Sequence, residues 1–136
     1  MNDSVLARFS GGRAEDVGLP AESDGTEDLG SFGWLRGVRD RALMLEVRHH
    51  NGNVSGFGYA WLDRVDFDPS EGITLHFSGK TVKVIGRNLN AELRPNVRLV
   101  AGILRHRVPW IQEADEATAI STPRGKPVIE RLEIKA

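Results

Sequence analysis

Hydrophobic and polar residues alternate through much of the middle of this 136-residue chain. Leu43, Leu45 and Val47 stand at every second position, and the pair Asn51-Gly52 follows shortly after them. Strict alternation is typical of a strand with one buried face, and an Asn-Gly pair favours a tight primed turn. The pattern therefore predicts a β-hairpin at this point of the chain.

Alternation continues beyond the hairpin. Gly56 and Gly58 interrupt the next strand pattern and indicate a bulge or sharp bend. Residues 61–68, 73–77 and 81–84 then alternate again, with turn residues between them. Consecutive short strands with tight connections predict a mainly β fold of the α+β class. We expect a small curled antiparallel meander of four to five strands, open or closed like a barrel.

A longer hydrophobic period begins after residue 87 and indicates one C-terminal helix packed on the sheet. Asn88 or Asn90 can cap its start, and Pro95 is tolerated in a first turn. The apolar residues that fall on one stripe of this helix are Leu93, Val97, Val100 and Leu104.

The same helix carries a second apolar side, formed by Leu99 and Ile103. A single helix on a small sheet needs only one apolar face. The extra pair must be covered by the N-terminal arm, by the closing segment 108–111, or by another subunit. The leading hypothesis is an interface formed by Leu99 and Ile103 together with Trp110 and Ile111, and therefore a homo-oligomer or a protein partner.

Composition divides the chain into three parts. Residues 1–30 form an acidic, Gly-rich arm that we expect to be flexible, because it holds few large apolar residues. Residues 31–113 form the small β-rich domain with its helix. Residues 114–136 are predicted to be an extended tail, although the alternation of Leu132 and Ile134 with charges also suits a strand added to a sheet edge.

The sequence lacks the residues that several kinds of chemistry require. The chain has no cysteine, which excludes disulfides, Cys-ligated metals and a thiol nucleophile. Its four histidines show no metal-ligand spacing, and there is no nucleophile elbow or phosphate-binding loop. We therefore expect no metal, no cofactor and no enzymatic activity.

The chain also lacks a long apolar segment. Its longest apolar run, interrupted by one glycine, is residues 99–104, and the first residues do not resemble a secretory signal. We expect a soluble, cytoplasmic protein without membrane contact.

Charge is distributed unevenly, although 18 basic and 19 acidic residues nearly balance. An acidic arm precedes a basic middle in which Arg outnumbers Lys. Arginine favours bidentate contacts with phosphate, and Trp34, Tyr59 and Trp61 could stack on bases. The candidate nucleic-acid contacts are Arg36, Arg39, Arg94, Arg98 and Arg105.

One segment, Val84-Ile85-Gly86-Arg87-Asn88-Leu89, resembles the Ile-Arg-Gly-Asn-x-Ile segment of Sm-like proteins, with Gly and Arg in reversed order. The resemblance covers about six residues, and the helix here follows the strands instead of preceding them. It implies a small bent barrel that assembles into rings and binds RNA. The sequence thus favours a non-catalytic self-assembly or protein-interaction module, with RNA or single-stranded nucleic-acid binding as the alternative.

Overall fold

The computed structural model describes residues 25–136. Most of the predicted acidic arm, residues 1–24, lies outside the described residues. The described part of the chain divides into two compact units. The smaller unit contains residues 25–27 and 35–40, and the larger contains residues 28–34 and 41–136.

Backbone hydrogen bonds connect residues within the described part of the smaller unit. The Arg36 N–H donates to the Gly25 carbonyl at 2.9 Å, and the Asp40 N–H donates to the Gly37 carbonyl at 3.0 Å. Val38, between Gly37 and Asp40, is 84% exposed and therefore does not contribute to the core.

Nine strands and two α-helices are formed by residues 25–136. They are β1 (Thr26–Asp28), β2 (Gly33–Leu35), β3 (Met44–Arg48), β4 (Val54–Gly58), β5 (Leu62–Asp68), β6 (Gly72–Phe77), β7 (Lys80–Arg87), α1 (Leu99–Leu104), β8 (Trp110–Gln112), α2 (Glu116–Ser121) and β9 (Val128–Lys135). A 3₁₀ helix (Tyr59–Trp61) separates β4 from β5. The fold is therefore mainly β, as the alternation predicted.

The largest sheet has four antiparallel strands in the order β9-β7-β6-β5. Alternate residues of β6 and β7 are fully buried on one face, which explains the period of two in the sequence. These core residues are Ile73, Leu75, Val82 and Val84. The predicted antiparallel meander is confirmed for β5, β6 and β7.

The first hairpin belongs to a different sheet. Strands β4, β3 and β8 form a three-stranded sheet in that order, in which β8 runs parallel to β3, and β1 and β2 form a third, two-stranded sheet. The predicted single meander is therefore wrong for residues 25–136, which contain three sheets. Of the two forms expected, open or closed like a barrel, the closed barrel is absent from these residues. The 3₁₀ helix ends β4 before β5 begins, and β3 takes a distant strand as its second neighbour.

The hairpin turn also differs from the primed turn that Asn51-Gly52 predicted. The Gly52 N–H donates to the His49 carbonyl at 3.0 Å, so His50 and Asn51 are the central residues of the turn. A positive φ occurs at Gly52 but not at Asn51, whereas a type I′ turn needs it at both central residues. The bulge expected at Gly56 and Gly58 is absent, because β3 and β4 pair in continuous register.

The predicted helix is much shorter than its apolar period indicated. Asn88 and Asn96 adopt left-handed conformations with φ of 55° and 69°, and Arg98 is extended, so helix α1 begins only at Leu99. The helix positions that face the core therefore differ from the predicted ones. Leu104, predicted to face the core, is 59% exposed.

Residues 114–136 were expected to be an extended tail, with a strand added to a sheet edge as the alternative, and they form α2 and the edge strand β9. The Asp115 carboxylate accepts a hydrogen bond from the Thr118 N–H at 2.7 Å and caps α2, the second helix. Strand β9 pairs with β7 along most of its length and buries Ile129 and Leu132 in the core. Burial of these apolar residues favours pairing of the segment with the sheet.

Candidate functional site

The four residues assigned to a subunit interface are covered within a single chain. Leu99, Ile103 and Ile111 are fully buried, and Trp110 is 8% exposed. The Arg48 guanidinium lies 4.4 Å from the centre of the Trp110 ring and covers part of it. The reason for placing these side chains between subunits is thereby removed.

The arginines predicted to bind nucleic acid do not share one helical face. Arg98 precedes α1 and Arg105 follows it, while Arg94 lies in the irregular segment before the helix. Arg98 Nη2 is 3.5 Å from a Glu92 carboxylate oxygen. Arg36 and Arg39 belong to the smaller unit. Binding of RNA or single-stranded nucleic acid stays a prediction.

Two of the three candidate stacking aromatics are in the core. Trp34 is 5% exposed, and the buried Tyr59 hydroxyl donates to the Val108 carbonyl at 2.6 Å. Burial raises the pKa of the Tyr59 hydroxyl well above its usual value. Trp61, in contrast, is 64% exposed. It is the member of this set that can meet a partner in the described conformation.

A cavity of about 470 Å³ lies beside the end of β8 and the start of β9. Its charged lining residues are of both signs: Arg94 and Lys126 are basic, and Glu113 and Asp115 are acidic. Among residues 25–136, no group of three or more potential ligands could hold a metal ion. The cavity therefore does not favour a ligand of one charge.

Glu113 at this cavity is engaged by the fold. Its carboxylate accepts hydrogen bonds from the His50 N–H at 3.1 Å and from the Leu132 N–H at 2.9 Å, and its Oε1 lies 2.7 Å from His50 Nδ1. Burial raises the pKa of Glu113, but these hydrogen bonds lower it by more, so the pKa lies below its ordinary value. The carboxylate is thus a structural anion that joins β9 to the β3–β4 turn.

Strand β4 has an outer edge to which no residue in the described range 25–136 hydrogen-bonds as a strand neighbour. The Tyr59 N–H donates to the Leu43 carbonyl and the His49 N–H to the Asn53 carbonyl, which fixes the phase of the β3–β4 ladder. Because hydrogen-bonded pairs alternate with non-bonded pairs, Val54, Gly56 and Gly58 direct their N–H groups away from β3.

An exposed apolar face adjoins this edge. Met44 and Trp61 are 50% and 64% exposed, and Val54 is 56% exposed. A Cβ atom on Gly58 would lie 2.9 Å from Trp61 Cδ1 and 3.7 Å from Met44 Sδ, so the two large side chains flank this glycine. A groove of about 480 Å³ runs beside it, between β4 and the β6–β7 turn. We call Val54–Gly58 with Met44 and Trp61 the β4 edge.

The outer edges of the four-stranded sheet differ from the β4 edge. Strands β5 and β9 each contain four charged residues and a register shift. Charges and bulges on edge strands prevent pairing with other chains. Strand β8 is covered on its outer side, where Phe32 pairs with Ile111 and the Gln112 N–H donates to the Ser31 carbonyl. The β4 strand carries neither charge nor bulge.

Comparison with models of known families, with curated proteins and with solved structures found no match. The candidate site is therefore defined by the geometry of this chain.

Sequence reasoning identified parts of the β4 edge without assembling them. The paired glycines were interpreted as a bulge, and Trp61 as one of three stacking residues. The signal that could have separated this strand from the others is its lack of charge, because Val54–Gly58 contains none and β5 and β9 contain several. Glu113 was missed because its partners lie 63 and 19 residues away in sequence.

Proposed function

We propose that this chain is a protein-interaction module that receives an extended segment of a protein partner along the β4 edge. The observation that carries the proposal is an uncharged edge strand with outward N–H groups, next to the exposed Met44 and Trp61. Main-chain hydrogen bonds supply affinity in such strand addition, and side-chain pockets supply specificity.

The chemistry of the surface supports a peptide over a nucleic acid. Strand β4 carries no basic residue, whereas binding to phosphate depends on Arg and Lys. On the neighbouring strand β3, Glu46 and Arg48 form an ion pair at 3.0 Å, and Lys80 is the single charged residue among those that line the groove beside β4. An apolar, weakly charged surface of this kind is typical of contacts between proteins.

A matched pair of variants at Gly56 tests the proposal. The Gly56 N–H is not used in the ladder with β3, so Gly56→Pro removes an outward donor without breaking an internal hydrogen bond. Gly56→Ala keeps the donor, and its new Cβ would lie 3.4 Å from Met44 Cε, an ordinary contact. Gly56→Lys, which places a charge on the edge, is a second disrupting variant if the proline variant does not fold.

Peptides selected from a random displayed library against the sparsely immobilised wild-type protein are the probe. We expect them to bind wild type and Gly56→Ala equally, to bind Gly56→Pro or Gly56→Lys at least about tenfold more weakly, and to protect Trp61 from acrylamide quenching. Trp34 and Trp110 are buried, so quenching reports mainly on Trp61. Failure to select any peptide, or equal binding to all variants, contradicts the proposal.

A further inference from the structure

We infer that the partner strand is the β4 strand of a second copy of this chain, paired antiparallel about a two-fold axis at Gly56. This inference rests on the proposed function and specifies its partner. A two-fold interface is self-complementary: each surface feature must meet its counterpart on the other copy. The β4 edge meets this requirement in its hydrogen bonds, its side chains and its charges.

The hydrogen-bonding groups are symmetric about Gly56. Outward N–H groups lie at Gly56 and two residues to either side of it, at Val54 and Gly58. An antiparallel second copy then places Gly56 opposite Gly56, and Val54 opposite Gly58 in both directions. The Gly58 carbonyl precedes the 3₁₀ helix as its N-cap and is directed toward it. The remaining groups allow about four hydrogen bonds between the copies.

The side chains are complementary in the same register. Val54 projects from one end of the strand and is 56% exposed. Gly58, at the other end, lacks a side chain and is flanked by Met44 and Trp61. Because directly opposite residues lie on the same sheet face, each Val54 would lie beside the other copy's Gly58 and contact the Trp61 ring that covers this glycine. The contact occurs twice and covers apolar area that is exposed in one chain.

Few charges lie near this contact. Strand β4 is uncharged, on the neighbouring strand Glu46 is already paired with Arg48, and Lys80 is the single charged residue that lines the adjacent groove. The two copies of Glu46 would be separated by both β4 strands, about 14 Å, which exceeds the Debye length at physiological ionic strength. Each copy carries both halves of the apolar contact, Val54 at one end of β4 and the Trp61 ring beside Gly58 at the other, which favours a second copy as the partner.

Sedimentation of the full chain across concentrations up to millimolar tests the assembly. We expect a reversible monomer–dimer equilibrium, accompanied by protection of Trp61 from acrylamide as the dimer forms. Val54→Asp should raise the dimer dissociation constant at least about tenfold, because it places a carboxylate against an apolar contact on each copy. Leu104→Asp is the matched control, since Leu104 is 59% exposed on α1, and should leave the constant within about twofold.

Cysteine cross-linking tests the register, because the natural chain has no cysteine. Directly opposite residues in a hydrogen-bonded pair have Cα atoms about 5.5 Å apart, within the range of a disulfide. Gly56→Cys should therefore form a covalent dimer under mild oxidation. Two copies of Val54→Cys would be about 14 Å apart along the strands and should remain uncross-linked.

Three results overturn the inference: a wild-type chain that stays monomeric at millimolar concentration, a dimer that Val54→Asp does not weaken, or cross-linking of Val54→Cys as fast as that of Gly56→Cys. In each case the proposed function still stands if selected peptides bind wild type and lose affinity for Gly56→Pro. If peptide binding also fails to depend on Gly56, both proposals fall.

Discussion

The carboxylate of Glu113 connects segments that are distant in sequence. Among residues 25–136 it is the single buried charged side chain, and it accepts hydrogen bonds from His50 and Leu132. If one of these hydrogen bonds is lost, a buried donor is left without an acceptor, and its desolvation cost lowers the stability of the fold. The arrangement therefore holds the middle of β9, at Leu132, to the β3–β4 turn, at His50.

Glu113→Gln should lower the free energy of unfolding by about 1–3 kcal/mol. The substitution replaces one acceptor oxygen with an NH₂ group, which then faces a donor. Urea unfolding followed by circular dichroism measures the change. Glu116→Gln, at an exposed position three residues later, is the control and should change stability by less than about 0.5 kcal/mol. Equal effects of the two variants would show that the buried hydrogen bonds contribute nothing.

At the scale of single residues, the sequence predicted burial correctly where burial follows from the alternation of hydrophobic and polar positions. Ile73 and Leu75 alternate with polar neighbours and are fully buried, as expected of one sheet face. Leu99 and Ile103 were predicted to be covered by the N-terminal arm, by segment 108–111 or by another subunit, and both are fully buried in one core cluster with Val108 and Ile111. Their environment depends on where α1 begins, and the left-handed Asn96 and extended Arg98 set that point.

Strand β9 lies in a segment for which the sequence left two alternatives. The segment was expected to be a tail, with a strand added to a sheet edge as the alternative, and β9 is paired with β7 as an edge strand of the largest sheet. Its partner precedes it by more than forty residues, and pairing over such a separation leaves little local signal. Antiparallel hairpins such as β6–β7 are predictable because a short turn brings the two strands together.

The importance of β9 is measurable by shortening one of its side chains. Ile129→Ala should lower the free energy of unfolding by about 2–5 kcal/mol, because Ile129 is fully buried in the core. Ile120→Ala is the matched control: Ile120 is 77% exposed on α2, and the substitution should change stability by less than about 0.5 kcal/mol. Chemical denaturation of both variants gives the comparison. A small effect of Ile129→Ala would indicate that β9 is dispensable for folding.

The stability of the whole molecule should decrease at acid pH. Burial raises the pKa of Glu113, but hydrogen bonds lower it by more. Backbone and hydroxyl donors of Ser70 lower the pKa of Asp68, and the Thr118 N–H lowers that of Asp115. A carboxyl with a lowered pKa in the folded state stabilises the protein above its unfolded-state pKa and loses that contribution as pH falls through the folded value.

We therefore expect the free energy of unfolding to be constant near neutral pH and to fall below about pH 4.5, the ordinary pKa of Glu113. Urea unfolding at a series of pH values measures this dependence. Glu113→Gln should make the curve less steep, because one of the contributing carboxylates has been removed. A variant curve parallel to that of wild type would assign the acid sensitivity to other groups.

The sequence by itself determined the strand-rich character of the chain, the antiparallel meander of β5, β6 and β7, and the residues that line its buried face. Period and turn residues act over a few positions, so these features can be derived locally. Only the tertiary structure decided that the first hairpin joins β8, that β9 completes the four-stranded sheet, and which edge is left uncovered. Whether a strand lies inside a sheet or at its edge depends on segments far away in the chain. The hydrophobic pattern of one segment does not indicate which other segment pairs with it.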